Sequence, residues 1–407
     1  MKIAVHDYSG HPFQIQLSRA LAGRGHRVVH LYSSSNPSTP KGGLESRASD
    51  PEGLAIRPIA LPRPINKGAF LDRWLLEREY GRRLANEVAE MDPDVVLLAN
   101  TPLDAVERVQ RIAASAGVPL VYWLQDLIGD ATDRILSRKL GTVGHWIGGF
   151  YRRKERRALR RSEQVVGITE DFADLVHALG LSEDRYVTIA NWAPLDEIRP
   201  RRRDNEWARE HGLEDKFVFL YSGTLGFKHN PELLLALARG FQDRREVRVV
   251  VNSQGDAADW LRETGRKEGL DNLVVNPFQP YGAMSDVLGT ADVLVTILEP
   301  EAGIYSVPSK VLSYHCAGRA MLLAVPENNL AARIVDREGT GLLARPEDEH
   351  AVLEAARWLY SNAESRRQMA ERARGYAERT FDIERIAGRF EAVLSRARDT
   401  GRTDSRP

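Results

Sequence analysis

The chain has 407 residues, 57 basic and 57 acidic side chains, and a single cysteine, Cys316. This length exceeds one ordinary domain, so two domains are expected. The balanced charge argues against a general nucleic-acid binder, and one cysteine excludes an intrachain disulfide, which fits a reducing compartment. The first apolar run, IAV, ends at His6 and Asp7, which is typical of a strand and not of a signal peptide. No run approaches a membrane span, so a cytoplasmic protein is expected.

Strands and helices alternate from the N terminus. KIAVHD predicts a strand, and the following HPFQIQLSRALAGRGH predicts a helix that ends at its glycines. Continuous apolar strands separated by helices predict a parallel sheet that is covered on both faces. The further strands are RVVHLYS and the segments 94–100, 119–126 and 163–169, and the helices are 70–91, 103–116 and 145–161.

The alternation breaks at 190–203, where two prolines and a basic run predict a linker. A second series of strands follows, formed by KFVFLYSG, REVRVVVNS, NLVVNPF, ADVLVTIL and AMLLAVP. The sequence therefore predicts an α/β protein with two Rossmann-like domains, 1–193 and 204–378. A separate last helix is expected at 379–396, followed by a disordered polar tail at 397–407.

A glycine-rich turn follows the first strand of the second series, in FLYSGTLGFKHNPE. Gly223 and Gly226 let the backbone approach a ligand closely, and Lys228 follows as a point charge that suits a diphosphate. Pro231 fits the first turn of the next helix, whose N terminus offers unpaired N–H groups. An ordinary strand–helix turn with a solvated lysine is the alternative.

A second turn of this kind occurs in IYSVPSKVLSYHCAG. Ser306, Ser309 and Lys310 surround Pro308 just before an apolar helix. Hydroxyl and N–H groups at this point can bind phosphate, although a simple N-cap is the alternative. Two helix N termini of this kind predict a diphosphate site and hence a nucleotide-activated substrate.

The first domain has candidates at the ends of its strands. Gly10 follows strand one in a turn without GxGxxG, which argues against a dinucleotide there. Asp126 ends VYWLQD and can act as a base or orient an acceptor hydroxyl, with helix capping as the alternative. Asn191 and Trp192 stand at the domain junction, where either an acceptor contact or a hinge is expected.

Charge neutralisation without a metal is expected. The histidines lack metal-ligand spacing, and no acidic pair ends a strand near the predicted diphosphate site. Lys228 and the helix dipoles would then stabilise the phosphate charge.

The segment 146–161 combines aromatic and basic residues. RRKERRALRR has seven basic side chains and one acidic one, and Trp146 and Phe150 precede it at helical spacing. Such a helix docks on an anionic membrane, unless its aromatic rings belong to the core. The segment Pro62–Leu76, with Phe70, Trp74 and Leu75, is a second candidate contact.

LYSGTLGFKHN, IANWAPLDEIRP and YSVPSKVLSYHCAGRAML resemble glycosyltransferase family 4 of the GT-B fold, over nearly the whole chain. The last two, and WLQDLIGDA, resemble most the bacterial surface-polysaccharide transferases of the colanic-acid and O-antigen (N-acetylfucosamine) type. The resemblance implies two Rossmann-like doubly wound domains with an inter-domain cleft, and a C-terminal helix that crosses back to the N-terminal domain.

The resemblance also implies an activity. It is retaining, metal-independent transfer of a sugar from a nucleotide diphosphate donor to a glycan or polyprenyl-linked acceptor, at the inner face of the plasma membrane, with no further cofactor. The second domain would hold the donor and the first the acceptor, with Lys228 and Asp126 as catalytic residues. The residues expected to bind the donor are Gly10, Gly223, Thr224, Phe278, Glu301, Tyr305, Ser306, Val307, Ser309, Lys310 and Ser313.

The chain departs from the family pattern in three places. Tyr305 and Ser313 stand where the family has paired glutamates, so Glu299 or Glu301 is expected to take part of their role. Thr224 replaces the usual arginine, and Trp123 a frequent histidine. A nucleotide-sugar epimerase of the same architecture and an inactive nucleotide-binding scaffold therefore stay open as alternatives.

Overall fold

The computed structural model describes residues 1–35, 42–63, 70–226, 229–300 and 308–404. The chain forms two compact units. Unit 1 contains Met1–Asn191 and Ile383–Pro407, and unit 2 contains Trp192–Asp382.

Unit 1 is built on a sheet of seven parallel strands. The strands are β1 (Lys2–Asp7), β2 (Arg27–Ser33), β3 (Leu54–Ile59), β4 (Val95–Ala99), β5 (Leu120–Leu124), β6 (Gln164–Gly167) and β7 (Tyr186–Thr188). They lie in the order β3-β2-β1-β4-β5-β6-β7. Every residue of β4 and β5 is buried, because helices cover both faces of the sheet.

Helices connect these strands. They are α1 (Pro12–Gly23), α2 (Phe70–Met91), α3 (Leu103–Ser115), α4 (Ile128–Arg160) and α5 (Ala173–Ala178). Helix α4 is broken at Gly141, whose φ of 56° and ψ of −129° are not helical. It begins 17 residues before the helix that the sequence predicted from residue 145.

Unit 2 has a sheet of six parallel strands. They are β8 (Phe217–Ser222), β9 (Val247–Asn252), β10 (Leu273–Asn276), β11 (Val293–Ile297), β12 (Ala320–Ala324) and β13 (Gly341–Ala344), in the order β10-β9-β8-β11-β12-β13. The helices are α6 (Glu206–Glu210), α7 (Glu232–Gly240), α8 (Asp256–Lys267), α9 (Met284–Thr290), α10 (Lys310–Ala317), α11 (Leu330–Glu338), α12 (Glu349–Ser361) and α13 (Ala363–Thr380).

The segment predicted as a linker belongs to unit 2 from Trp192 onward. The Arg199 backbone N–H donates to Ser285 Oγ at 3.1 Å, and the Arg203 guanidinium donates to the Leu213 carbonyl at 3.2 Å. These bonds hold the segment 192–203 against unit 2, so this proline- and arginine-containing stretch is an ordered part of that unit.

The last helix, α14 (Ile383–Asp404), completes the core of unit 1. Phe390 and Trp123 are both buried, with ring centroids 4.6 Å apart. Glu391 accepts from Arg24 Nε at 2.7 Å. The prediction of a disordered tail from residue 397 is wrong as far as residue 404, since Ala397 is buried and the helix continues.

The predicted α/β class with two parallel sheets is confirmed. In each sheet the strand order reverses at one place, between β1 and β4 in unit 1 and between β8 and β11 in unit 2. Open α/β sheets bind ligands beyond the carboxyl ends of the strands at such a point.

Candidate functional site

The turn after β8 has a backbone that only glycine adopts readily. Gly223 has a φ of 128°, and its N–H donates to the Asn252 carbonyl at 3.0 Å. The Tyr221 hydroxyl donates to the Thr224 carbonyl at 2.6 Å, and Thr224 itself is exposed. Lys228 lies outside the described residues.

The second turn leads into α10 at the reversal point of the same sheet. Its N-cap residue, Ser309, is exposed and makes no capping bond with its side chain, so it does not behave as a simple N-cap. The Tyr314 hydroxyl accepts the Ser222 N–H and donates to the Val295 carbonyl, each at 3.2 Å. These bonds connect α10 to the end of β8 and to the middle of β11. The predicted residues Glu301, Tyr305, Ser306 and Val307 lie outside the described residues.

The side chain of Lys310, at the start of α10, reaches the turn after β8. Its Nζ lies 3.4 Å from the centroid of the Tyr221 ring, and a Cβ placed on Gly223 would lie 3.4 Å from the same atom. The residue is only partly buried as a whole, but Nζ is shielded from solvent and has no hydrogen-bond partner in the described parts of the chain. Burial lowers the pKa of this amine well below its ordinary value of 10.5.

Two further predicted donor residues of unit 2, Ser313 and Phe278, lie in different parts of the unit. Ser313 is half-buried on α10, one turn after Lys310. Phe278 is half-buried and follows β10, the strand at the edge of the sheet. Within the described ranges, no group of three or more His, Cys, Asp or Glu side chains is placed to hold a metal ion.

The predicted residues of unit 1 follow strands near its reversal point. Gly10 is buried beyond β1 with a φ of 72°, and Asp126 is exposed beyond β5. Asn191 exchanges two side-chain hydrogen bonds with Gln125, of 3.1 and 2.6 Å. Trp192, which begins unit 2, is buried, and this burial favours packing over contact with a ligand.

Sequence reasoning missed His11, which stands between Gly10 and α1. Its Nδ1 lies 3.3 Å from Asp7 Oδ1 and 3.3 Å from the Asn100 side-chain nitrogen, and the imidazole is 25% exposed. Asn100, directly after β4, has a φ of 50°, which is a left-handed backbone conformation. A signal was present in the sequence, because Asp7 and His11 are four residues apart around a glycine turn.

The electrostatics distinguish His11 from its neighbours. Burial lowers the pKa of His6 to about 3 and that of His30 to about 4. Burial also lowers the pKa of His11, but the charge of Asp7, the hydrogen bond to Asp7 and the charge of Asp126 outweigh it and raise the pKa above 6.5. Of these three imidazoles, His11 is therefore the one whose surroundings favour the protonated form.

Helix α4 presents an apolar face to solvent. Val143, Trp146 and Phe150 are exposed at helical spacing after the break at Gly141, with Trp146 at 78% and Phe150 at 56%, and Leu140 is exposed just before the break. The rings of Trp146 and Phe150 are therefore not part of the core. None of the helices in the described segments has the length and apolar character needed to span a bilayer.

Comparisons with known proteins agree with this architecture. The family model described as glycosyl transferase 4-like domain matches residues 14–192, and that described as glycosyl transferases group 1 matches 203–376. WcaI of Escherichia coli (strain K12), a glycosyl transferase named for colanic acid biosynthesis, is 24% identical over 342 residues, covering 82% of this chain and 80% of its own.

Solved structures share the fold. HepE of Anabaena, in complex with UDP and glucose, has a TM-score of 0.69 at 14% identity, covering 97% of this chain and 99% of its own. WaaG, a glycosyltransferase of lipopolysaccharide biosynthesis, has a TM-score of 0.67 at 16% identity, covering 96% and 99%. Since the two family models together match most of the chain, the protein belongs to the family 4 glycosyltransferases of GT-B fold and is related to enzymes of bacterial surface-polysaccharide synthesis.

Proposed function

We propose that the enzyme transfers a sugar from a nucleotide diphosphate donor to a glycan or polyprenyl-linked acceptor, with retention of configuration and without a metal. The observation that carries the proposal is the shielded Nζ of Lys310 at the meeting point of two phosphate-type turns. A shielded amine without a hydrogen-bond partner in the described chain can donate to an anion at that place.

The donor diphosphate is assigned to unit 2. Gly223, Thr224 and the N terminus of α10 with Ser309, Lys310 and Ser313 would surround it. Phe278 would face the nucleotide base. Lys228, Glu301, Tyr305, Ser306 and Val307, outside the described residues, are assigned to the same donor.

The chemistry places negative charge on the leaving group. As the bond between the sugar and the diphosphate breaks, its electron pair goes to the diphosphate, the acceptor oxygen bonds to the same face of the sugar, and the acceptor proton passes to the leaving phosphate. Lys228, Lys310 and the two helix N termini would stabilise that charge where it develops. Asp126 would orient the acceptor hydroxyl, with Gly10 close to a donor phosphate and Asn191 near the acceptor.

A panel of nucleotide sugars tests donor binding by thermal unfolding. A donor present at 100 times its Kd stabilises the folded protein by about 2.7 kcal/mol, which for units of this size raises Tm by roughly 5–10 °C. We expect one class of UDP-, GDP- or TDP-sugar to give this shift, and nucleoside monophosphates to give none. A panel without any stabilising member would refute the proposal.

The donor that the panel identifies is then used to distinguish a transferase from an epimerase and from an inactive scaffold. Incubation with polyprenyl-linked and glycan acceptors in excess EDTA is expected to give a glycoside whose anomeric configuration, measured by NMR coupling constants, matches that of the donor. An epimeric nucleotide sugar formed without acceptor would indicate the epimerase instead. Donor binding without turnover would indicate a scaffold.

We also propose that the exposed face of α4 places the enzyme on the inner surface of the plasma membrane. Three exposed apolar side chains, at 143, 146 and 150, lie on one side of the second half of the helix, and Arg153, Arg156 and Arg160 are exposed in its next turns. Apolar insertion combined with basic residues is the pattern that binds anionic bilayers.

Vesicle sedimentation tests the membrane proposal. The double variant Trp146→Ser/Phe150→Ser is expected to bind phosphatidylglycerol vesicles at least tenfold more weakly, because each buried ring contributes about 1.5 kcal/mol or more. The matched control is Trp358→Ser, which removes a partly exposed tryptophan from unit 2. Equal binding of the double variant and the wild type would contradict the proposal.

A further inference from the structure

The environment of Lys310 does not suit a permanent ammonium ion. Such a group has three N–H donors, and Nζ has no hydrogen-bond acceptor within the described parts of the chain. The Tyr221 ring, 3.4 Å away, covers one side of Nζ with a π face but offers no lone pair in the plane of a hydrogen bond. Burial of a cation with so little compensation strongly favours its neutral form.

The neighbouring groups do not reverse this preference. Among the described residues, Tyr221 on β8 is the titratable side chain that contacts Nζ, and Tyr314 on α10 acts on Tyr221. Burial raises the pKa of both tyrosines, so neither supplies a negative charge. Among the described residues no carboxylate acts on Lys310, whose pKa is shifted by burial alone. The N terminus of α10, where Lys310 is the first residue, adds positive potential.

We propose that Lys310 is a neutral amine in the ligand-free enzyme and takes up one proton from solvent when a sugar-nucleotide diphosphate binds beside it. The proton moves from the buffer to Nζ, and no bond of the ligand changes. The inference rests on the proposed donor site in unit 2 and adds to it a charge that forms only in the complex. A neutral amine is not repelled by the positive potential of the helix N terminus, and it becomes a cation only when the diphosphate is present.

The linkage has a defined sign. The diphosphate raises the pKa of the amine in the complex, so the complex holds more protons than the free enzyme between the two pKa values. Affinity for the donor therefore falls as pH rises through that window, by up to tenfold per pH unit. A lysine that stayed charged throughout would give no such slope.

Calorimetric titration with UDP-glucose, or with the member of the panel that binds, measures the proton directly. In a nucleotide sugar the terminal phosphate is esterified. The ligand therefore lacks the phosphate ionisation near neutral pH that a free nucleoside diphosphate would add to the measured proton uptake. Titrations at pH 7.5 in PIPES and in Tris, which differ in ionisation enthalpy, should show uptake of about one proton by the wild type. Lys310→Met should take up none and bind at least tenfold more weakly, while Lys267→Met, an exposed lysine on α8, should match the wild type.

The outcomes separate the two proposals. Donor binding by the wild type without proton uptake, or with the same uptake in Lys310→Met, overturns the assignment to Lys310 and leaves the donor site standing. Absence of binding by any nucleotide sugar overturns the proposed function itself. If Lys310→Met does not fold, the pH dependence of wild-type affinity between pH 6 and 9 decides, since a flat profile excludes the protonation.

Discussion

Replacing Gly223 by alanine is expected to remove most of the affinity for a nucleotide sugar. A side chain at a φ of 128° is strained by about 1–3 kcal/mol, whatever space surrounds it. The added methyl group would also lie 3.4 Å from Lys310 Nζ, on the side where the diphosphate is proposed to bind. Relaxation of the turn would carry its N–H groups away from the ligand, so binding should weaken roughly 5- to 150-fold.

Calorimetry with the donor chosen by the panel checks this result. Gly149→Ala is the matched control, because this glycine lies inside α4 with nothing within 4 Å of an added Cβ, and alanine is favoured in a helix. Wild-type affinity in Gly223→Ala would show that the turn after β8 does not contact the donor.

Replacing Phe390 by alanine is expected to destabilise unit 1 by about 3–5 kcal/mol, the usual cost of removing a buried phenyl ring from a core. Phe390 is fully buried on α14, and its ring meets Trp123, which in turn meets Phe13 at 5.8 Å between centroids. The cavity would therefore open between the last helix and the central strands β4 and β5.

Local stability is the appropriate measurement, because a chain of two units is not expected to unfold in one step. Hydrogen exchange in the peptide that contains β5 should accelerate in Phe390→Ala, and peptides from β12 in unit 2 should not change. Phe150→Ala, which removes an exposed ring, should cost less than about 0.5 kcal/mol. Unchanged protection of β5 would show that α14 does not stabilise unit 1.

The fold could be predicted where burial dominates the sequence pattern. Strands such as β4 and β5 are continuous apolar runs, since both faces of a parallel sheet are covered. The prediction failed for β3, which is half-exposed and contains Pro58, and for β7 and β13, which have three and four residues. Short edge strands carry little hydrophobic signal of their own.

Helix α4 shows a second limit. Gly141 and Gly144 lower the helical signal between 128 and 145, Gly148 and Gly149 follow, and the sequence places the helix start too late. In the structure two of these glycines permit close contact, since a Cβ on Gly144 or Gly148 would clash with the preceding half of the helix, at Leu136 and Asp133. The residues that look like helix breakers therefore allow the two halves of α4 to pack together.

The candidate site was only partly readable from the sequence. The turns at Gly223 and Pro308 follow from local patterns of strand, glycine or proline, and helix. The position of Lys310 Nζ over Tyr221 does not, because it depends on the register between α10 and β8, 89 residues apart along the chain. His11 was readable in part, because Asp7 lies four residues before it, whereas the smaller contribution of Asp126 comes from the segment after β5 and depends on the fold.

The placement of α14 has a consequence for how the protein is made. The first 191 residues emerge from the ribosome long before residues 383–404, which supply Phe390 to the core of unit 1. Unit 2 is contiguous in the chain, so it can complete its packing while the earlier segment still exposes the apolar surface around Trp123. Maturation of unit 1 therefore waits until residues 383–404 have been synthesised, and a nascent chain stalled before codon 383 would be a client for chaperones.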